Sequence, residues 1–332
     1  MKTAETAPPR TAPKTAATAP SDTSKTSRTP RTVRTARTTA PVQAAKMTSA
    51  TAAKTAPPTA GTAPFRFFSL QVARTRRLGP SMVRVTFGGE ELAGFDAGGR
   101  DQSLSLFLPH PGQSAPVVPI EKGDGWWAAW RELPDDVRAV MRSYTLREQR
   151  RDPDEIDIDF ALHADGGPAC RWAGQAAPGD RVLVLGPAVA DNTAVRFRPP
   201  ADADSVLIWA DETALPAASA ILEWLPAGLK ADVWLEVPHS DDRQPLYTAA
   251  DARITWLVRE EGAPSALDAV RATEPRGSAP YAWIAGESGT VKELRRHLVR
   301  ERELDRRRVT FVGYWRRGVS EEELRAAAAK AA

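Results

Sequence analysis

Five short runs in the second half of the chain are dominated by apolar residues, Ser205–Ala210 continuously so, and they limit the fold more than anything else in the sequence. They are Ser205–Ala210, Asp232–Val237, Ile254–Val258, Ala282–Ala285 and Val309–Tyr314. A strand with one wet face alternates apolar and polar residues; a strand that is apolar throughout is covered on both faces. Between these runs lie helical stretches, Ala214–Leu225 and Thr290–Arg302. Buried strands interleaved with helices predict a parallel sheet with helices on both sides.

The preceding region follows a different rule. Val83, Val85 and Phe87 alternate with Arg84 and Thr86 in Met82–Phe87, and Ile156, Ile158, Phe160 and Leu162 alternate with Asp157, Asp159, Ala161 and His163. Leu104–Leu108 and Arg181–Leu185 read as further short strands, with Pro111–Asp124 a loop and Pro178-Gly179-Asp180 a turn. This spacing predicts a small antiparallel barrel over residues 65–190. A helix is expected over Trp126–Met141, with Trp126, Trp127 and Trp130 packed as core. The Pro-rich junction near Pro199-Pro200 separates the two patterns.

Residues 1–64 belong to neither pattern. They are almost entirely Thr, Ala, Pro, Ser, Lys and Arg, and no aromatic occurs among them. Such a segment cannot bury enough apolar surface to offset its ordering entropy and is expected to be disordered. It carries ten Lys/Arg against Glu5 and Asp22, a net +8; the whole chain is +3, so residues 65–332 carry −5. A basic tail of this kind suits contact with anionic surfaces. An alanine-rich C-terminal helix is expected at Ser320–Ala329. The single cysteine, Cys170, excludes an intramolecular disulfide and any cysteine-held metal cluster within one chain. No secretory leader and no stretch of membrane-spanning length is present, which predicts a soluble cytoplasmic protein.

Several stretches carry chemistry. In Arg142-Ser143-Tyr144-Thr145 the arginine suits a two-pronged grip on a diphosphate, and the tyrosine, on the same face of an extended segment, offers a ring for stacking. His163-Ala164-Asp165-Gly166-Gly167-Pro168-Ala169-Cys170 puts glycines between a strand end and a helix start, where backbone N–H groups meet anions. Asp211-Glu212-Thr213-Ala214 follows the first parallel strand at the edge where open α/β sheets bind ligands. Asp211 or Thr213 can cap the following helix, and Pro216 fits its first turn. Gly286-Glu287 follows another such strand, with Thr290 and Glu293 in capping-box spacing. Gly313-Tyr314-Trp315-Arg316-Arg317 ends the last one.

In this order, with Leu146-Arg147, Asp157–His163 and Leu215-Pro216-Ala217 between them, these motifs resemble those of the siderophore-interacting proteins. The resemblance covers residues 65–318. It implies an antiparallel FAD-binding β-barrel over 65–198, a parallel α/β NAD(P)H-binding domain over 199–318 in a ferredoxin-reductase-like arrangement, and a C-terminal helix over 319–332. It further implies a flavoprotein that reduces a ferric siderophore with NADPH or NADH, and no protein metal site. On that resemblance Arg142 and Ser143 bind FAD, Tyr144 stacks on its ring system and Thr145 bonds near the reactive edge. His163, Gly167, Pro168, Ala169 and Cys170 line the rest of the nucleotide. Asp211, Glu212, Thr213, Ala214, Gly286 and Glu287 border the coenzyme, and Trp315 lies close to the ring. Arg147, Arg316 and Arg317 are expected as docking cations for an anionic ferric complex. Cys170 stands where the family usually has serine, and Ala210 where it usually has glycine. The choice of coenzyme stays open, since Arg243 and Arg259 suit a 2′-phosphate while Asp241 and Asp242 oppose one. The alternatives are a general flavin or ferric reductase with another acceptor, and a non-catalytic flavin- or siderophore-binding protein.

Overall fold

In the computed structural model, which describes residues 63–163 and 166–319, the described residues form twelve strands in two sheets. The first sheet contains β1 (Phe65–Gly79), β2 (Met82–Gly88), β3 (Ser103–Leu108), β4 (Val140–Thr145), β5 (Glu148–Arg150), β6 (Glu155–Ala161) and β7 (Arg181–Pro187). Its order is β4-β3-β7-β1-β2-β6-β5, antiparallel at every pairing, and it curves into a half-barrel. The 15-residue β1 joins the two halves, pairing with β7 through Phe65–Gln71 and with β2 from Gln71 to Gly79. At the open side, Tyr144 of β4 packs against Phe160 of β6, with ring centroids 4.4 Å apart. Helix α2 (Pro168–Gln175) covers the same side; its Ala169 and Ala173 are buried and its Trp172 stacks on Phe87.

The helix expected over Trp126–Met141 is much shorter. Helix α1 spans Trp126–Glu132, and Met141 lies on β4. The cause is Pro134, which forces Leu133 into the extended region at φ −64° and ψ 145°. Trp130 is buried and Trp126 packs edge-on against Phe67 and Phe107, whereas Trp127 is 40% exposed.

Strand β6 is buried on both faces, because arginines on neighbouring strands satisfy its acidic residues. Arg84 bonds Asp159 at 2.6 and 2.8 Å, Arg150 bonds Asp157 at 2.7 Å, and the Thr86 hydroxyl donates to Asp157 at 2.6 Å.

The second sheet has β8 (Ser205–Ala210), β9 (Lys230–Val237), β10 (Asp251–Val258), β11 (Pro280–Glu287) and β12 (Val309–Trp315), all parallel, in the order β10-β9-β8-β11-β12. Helices α3 (Leu215–Trp224), α4 (Ala266–Arg271) and α5 (Ser288–Arg296) cover its faces. α3 has Pro216 in its first turn, as its sequence anticipates. α5 starts before Thr290, and Glu287 caps it by accepting from Gly289 N and Thr290 N, so the expected Thr290–Glu293 capping box does not form. A single π turn, His297–Glu301, completes this helix. The tail up to residue 62 and the helix expected at Ser320–Ala329 lie outside the described residues.

Candidate functional site

A cavity of about 500 Å³ opens where the half-barrel meets the carboxyl end of β12. Pairing of β4 with β3 sets Tyr144 opposite Leu104 and Thr145 opposite Ser103, so Arg142, Ser143, Tyr144 and Thr145 all reach the cavity wall. Asp159 and Ala161 extend that wall from β6, and His163 from just beyond its end. Thr145 is buried, and its hydroxyl lies 3.5 Å from the Tyr314 hydroxyl of β12. Burial pushes the Tyr314 phenol well above its ordinary range.

The amino end of α2 faces the same space. Gly167 is its N-cap in extended conformation, Pro168 is its first residue, and no side-chain hydrogen bond caps it among the described residues. A Cβ added at Gly167 would meet nothing within 4 Å, so a ligand can approach the backbone here. Gly166 differs: its Cβ would fall 2.2 Å from the Cys170 sulfur. The Cys170 Sγ accepts from His163 N at 3.2 Å, so the cysteine ties the β6 end to α2.

A second, smaller groove of about 170 Å³ crosses the carboxyl ends of the parallel strands. Its centre is Asp211, 2% exposed. One carboxylate oxygen accepts from Thr213 N, the Thr213 hydroxyl and Ala214 N; the other accepts from Glu287 N at 2.7 Å and the Trp315 indole N–H at 2.8 Å. Burial, with the neighbouring Glu212, pushes the Asp211 carboxyl up to about 6 against these donors. Gly286 sits at φ 143°, and any Cβ there would strike the Asp211 carboxylate at 2.5 Å, so glycine is required. Trp315 and His163 line both the cavity and the groove, with ring centroids 6.1 Å apart.

Most of the residues singled out in the sequence converge. Arg142, Ser143, Tyr144, Thr145, His163, Gly167, Ala169, Cys170, Thr213 and Trp315 line the cavity, and Asp211, Glu212, Glu287 and Arg317 line the groove. Pro168 starts α2, Ala214 is buried at the N-cap of α3, and Gly286 backs Asp211. Arg147, expected as a docking cation, lines neither space. Its side chain is 10% exposed, and its guanidinium bonds both oxygens of Glu223 on α3, at 2.6 and 3.1 Å. Arg316 is exposed but lines neither space. The structure adds Asp101, Ser103, Arg196 and Tyr314 to the cavity and Glu236 to the groove. Tyr314 adjoins Trp315 in a motif that the sequence displayed, whereas Asp101 and Arg196 sit in connecting segments with no local signature.

An antiparallel half-barrel followed by a five-stranded parallel sheet, with a cavity at their junction, is the architecture of ferredoxin-reductase-like proteins. Comparison with known families makes this specific. The siderophore-interacting FAD-binding domain matches residues 71–191, and the siderophore-interacting protein domain matches residues 203–318. The chain is 32% identical to the ferric vibriobactin reductase ViuB of Vibrio cholerae over 257 residues, 76% of this chain and 90% of that protein. It is 35% identical to the NADPH-dependent ferric-chelate reductase of Escherichia coli over 256 residues, 75% of this chain and 93% of that one. The crystal structure of the siderophore-interacting protein SipS from Aeromonas hydrophila superposes with a TM-score of 0.65 at 35% identity, covering 81% of this chain and 99% of that one. The chain belongs to the siderophore-interacting protein family.

Proposed function

We propose that the protein is an oxidoreductase that uses NADPH or NADH to reduce Fe(III) bound to a siderophore, with FAD held in the large cavity. The balance is one NAD(P)H and two Fe(III) giving NAD(P)⁺, two Fe(II) and one proton. FAD, when bound, accepts two electrons from a hydride donor and passes them on singly. The donor set suits such a nucleotide: guanidinium groups on Arg142 and Arg196, an uncapped helix start at Gly167, an aromatic ring on Tyr144 and a hydroxyl on Thr145.

In this reading Arg142 and Ser143, with the backbone around Gly167, Pro168, Ala169 and Cys170, hold the diphosphate. Tyr144 stacks on the ring system and Thr145 hydrogen-bonds near its reactive edge, its hydroxyl kept in place by Tyr314. His163 and Trp315 form the boundary across which the coenzyme meets the flavin. Asp211 holds Trp315 and the Glu287 backbone still, and together with Glu212, Thr213, Ala214 and Gly286 borders the coenzyme site. Arg316 and Arg317 attract an anionic ferric complex; Arg317 also lines the coenzyme groove. Hard oxygen ligands hold Fe(III) better than Fe(II), so reduction loosens the complex. The reading places the enzyme in the cytoplasm with its coenzyme; among the described residues no helix is long and apolar enough to cross a membrane.

The observation that carries this reading is that His163 and Trp315 line both spaces, so a ligand in the groove reaches a ligand in the cavity. The test is anaerobic: the FAD-loaded protein is mixed with coenzyme, flavin bleaching is followed, and ferric siderophore is then added with an Fe(II) chelator. Bleaching followed by Fe(II) formation supports the proposal. Bleaching with electrons passed only to free flavin or quinone favours the general reductase, and no bleaching leaves a binding protein.

A further inference from the structure

The groove has two unlike ends. Trp315 and His163, at one end, also face the cavity; the other end closes on Glu212, Glu236 and Arg259. Four strand spacings of about 4.8 Å separate β12 from β10, about 19 Å in all. On the reading of this groove as the coenzyme site, the reacting nicotinamide sits by Trp315. The adenosine must then lie toward β9 and β10.

The chemistry of that far end is specific. Arg259 donates to Glu212 Oε1 at 2.7 Å and to Glu236 Oε1 at 3.0 Å, so each of its terminal nitrogens already serves a carboxylate. The Glu212 side chain is 1% exposed, yet its Oε2 has no hydrogen-bond partner among the described residues. A buried carboxylate oxygen without a donor is costly, and a ligand hydroxyl entering the groove supplies that donor. A phosphate dianion brings only acceptors, and here it meets two carboxylates and one arginine already engaged by both. Other cations offer no relief at this end: Arg243 pairs with Glu261 and His239 with Glu260, and Arg317, which also lines the groove, follows β12 with its backbone N–H on Glu287, on the Trp315 side. An acidic residue at the end of the second parallel strand is also the general device for holding a ribose 2′-hydroxyl, and Glu236 stands at that position on β9.

We propose that Glu212 and Glu236 read the adenosine ribose of the coenzyme as a free diol, making NADH the preferred hydride donor over NADPH. Arg259 serves as their shared counter-ion and not as a phosphate receptor.

Two measurements decide this. The first needs no turnover: ADP and 2′,5′-ADP are titrated calorimetrically into the FAD-loaded protein. ADP is expected to bind at least tenfold more tightly. The second compares kcat/KM for NADH and NADPH with ferricyanide as acceptor, in the parent and in Glu236→Gln. The parent is expected to favour NADH at least tenfold. The variant, whose neutral amide frees Arg259 to meet a phosphate, should lose at least tenfold of that ratio. Equal or tighter binding of 2′,5′-ADP by the parent, or NADPH used as well as NADH, overturns the proposal. An unchanged coenzyme ratio in Glu236→Gln removes Glu236 from it. If neither coenzyme reduces the flavin, the oxidoreductase reading falls, while the two adenosine nucleotides still decide what the groove's far end recognises.

Discussion

Replacing Asp101 by alanine should damage the junction between the two sheets more than any other single truncation at the cavity. Asp101 lies just ahead of β3, is 3% exposed, and reaches across to the second sheet. Its Oδ1 accepts from the backbone N–H groups of Arg196 at 3.0 Å and Phe197 at 2.9 Å, in the connecting segment; its Oδ2 accepts from the Trp283 indole on β11 at 3.0 Å. Phe197 and Trp283 are fully buried, so no water reaches their donors once the carboxylate is gone. Leaving a buried donor unpaired costs about 1–3 kcal/mol, and bonds to a charged acceptor sit toward the upper end. Two such donors and a third beside the exposed Arg196 side chain put Asp101→Ala on the order of 3–5 kcal/mol. For domains of this size that corresponds to a melting-temperature drop of at least about 6 °C. Asp101→Asn keeps one acceptor oxygen and should fall between the two. Urea unfolding followed by tryptophan fluorescence measures the loss directly. A loss below about 1 kcal/mol for the alanine variant would refute the reasoning, since the three donors would then have found other partners.

The other predictions concern the site. Arg142→Ala should weaken FAD binding by one or more orders of magnitude, from about 1.5–3 kcal/mol per charge-assisted hydrogen bond, and high FAD should restore activity. Tyr144→Ala should keep more flavin but shift its spectrum; absorbance titration of the two apo-variants separates them. The Trp315 fluorescence, taken as the parent minus Trp315→Phe, should titrate with a midpoint about 6, because protonation of Asp211 weakens its bond to the indole. The Asp211 carboxyl is raised in the folded state, so its contribution to stability is full below its unfolded value near 4 and is lost as pH rises through 6; the stability difference between the parent and Asp211→Asn should decline across that window. Arg316→Ala with Arg317→Ala should reduce the ionic-strength dependence of ferric-siderophore reduction, and equal salt slopes in both proteins would remove their steering role.

The parallel sheet was legible because burial on both faces leaves a direct trace: every residue of Ser205–Ala210 is apolar or small, and all six are buried. The half-barrel was harder. Its longest strand, β1, escaped notice because Phe68, Leu70 and Val72 are its only buried residues and the rest of it, including Arg74, Arg76 and Arg77, is exposed or nearly so. The buried face of β6 was hidden for the opposite reason, since acidic residues look solvated until Arg150 on the neighbouring β5 and Arg84, distant in sequence, are seen to pair with them. The site followed the same division. Residues at strand ends, such as Tyr144, Asp211 and Trp315, announce themselves by local pattern. Asp101, Arg196 and Glu236 join the site only through tertiary packing.

Arg147 carries this furthest, because nothing in its local sequence names its partner. A cation two residues past Thr145 looks like a docking group, but in the connection between β4 and β5 it bonds Glu223 on α3. It thereby becomes one of the ties between the half-barrel and the parallel sheet. Asp101 is another, and so is Asp242, fully buried, whose Oδ1 accepts from Ser81 N at 2.8 Å. The flavin-facing groups Arg142, Tyr144 and Thr145 belong to the first sheet. Trp315 belongs to the second, fixed by Asp211 and by the Ser288 hydroxyl, which donates to its carbonyl at 2.8 Å. Neither sheet alone sets the separation between them, so ties of this kind do. The consequence is that a variant remote from both cavity and groove, Arg147→Ala, should raise the apparent KM for coenzyme and slow flavin reduction with little change in the affinity for FAD. Stopped-flow bleaching beside an FAD titration measures the two separately, and a variant that lost FAD affinity while reducing its flavin at the parent rate would show that this tie does not set the spacing.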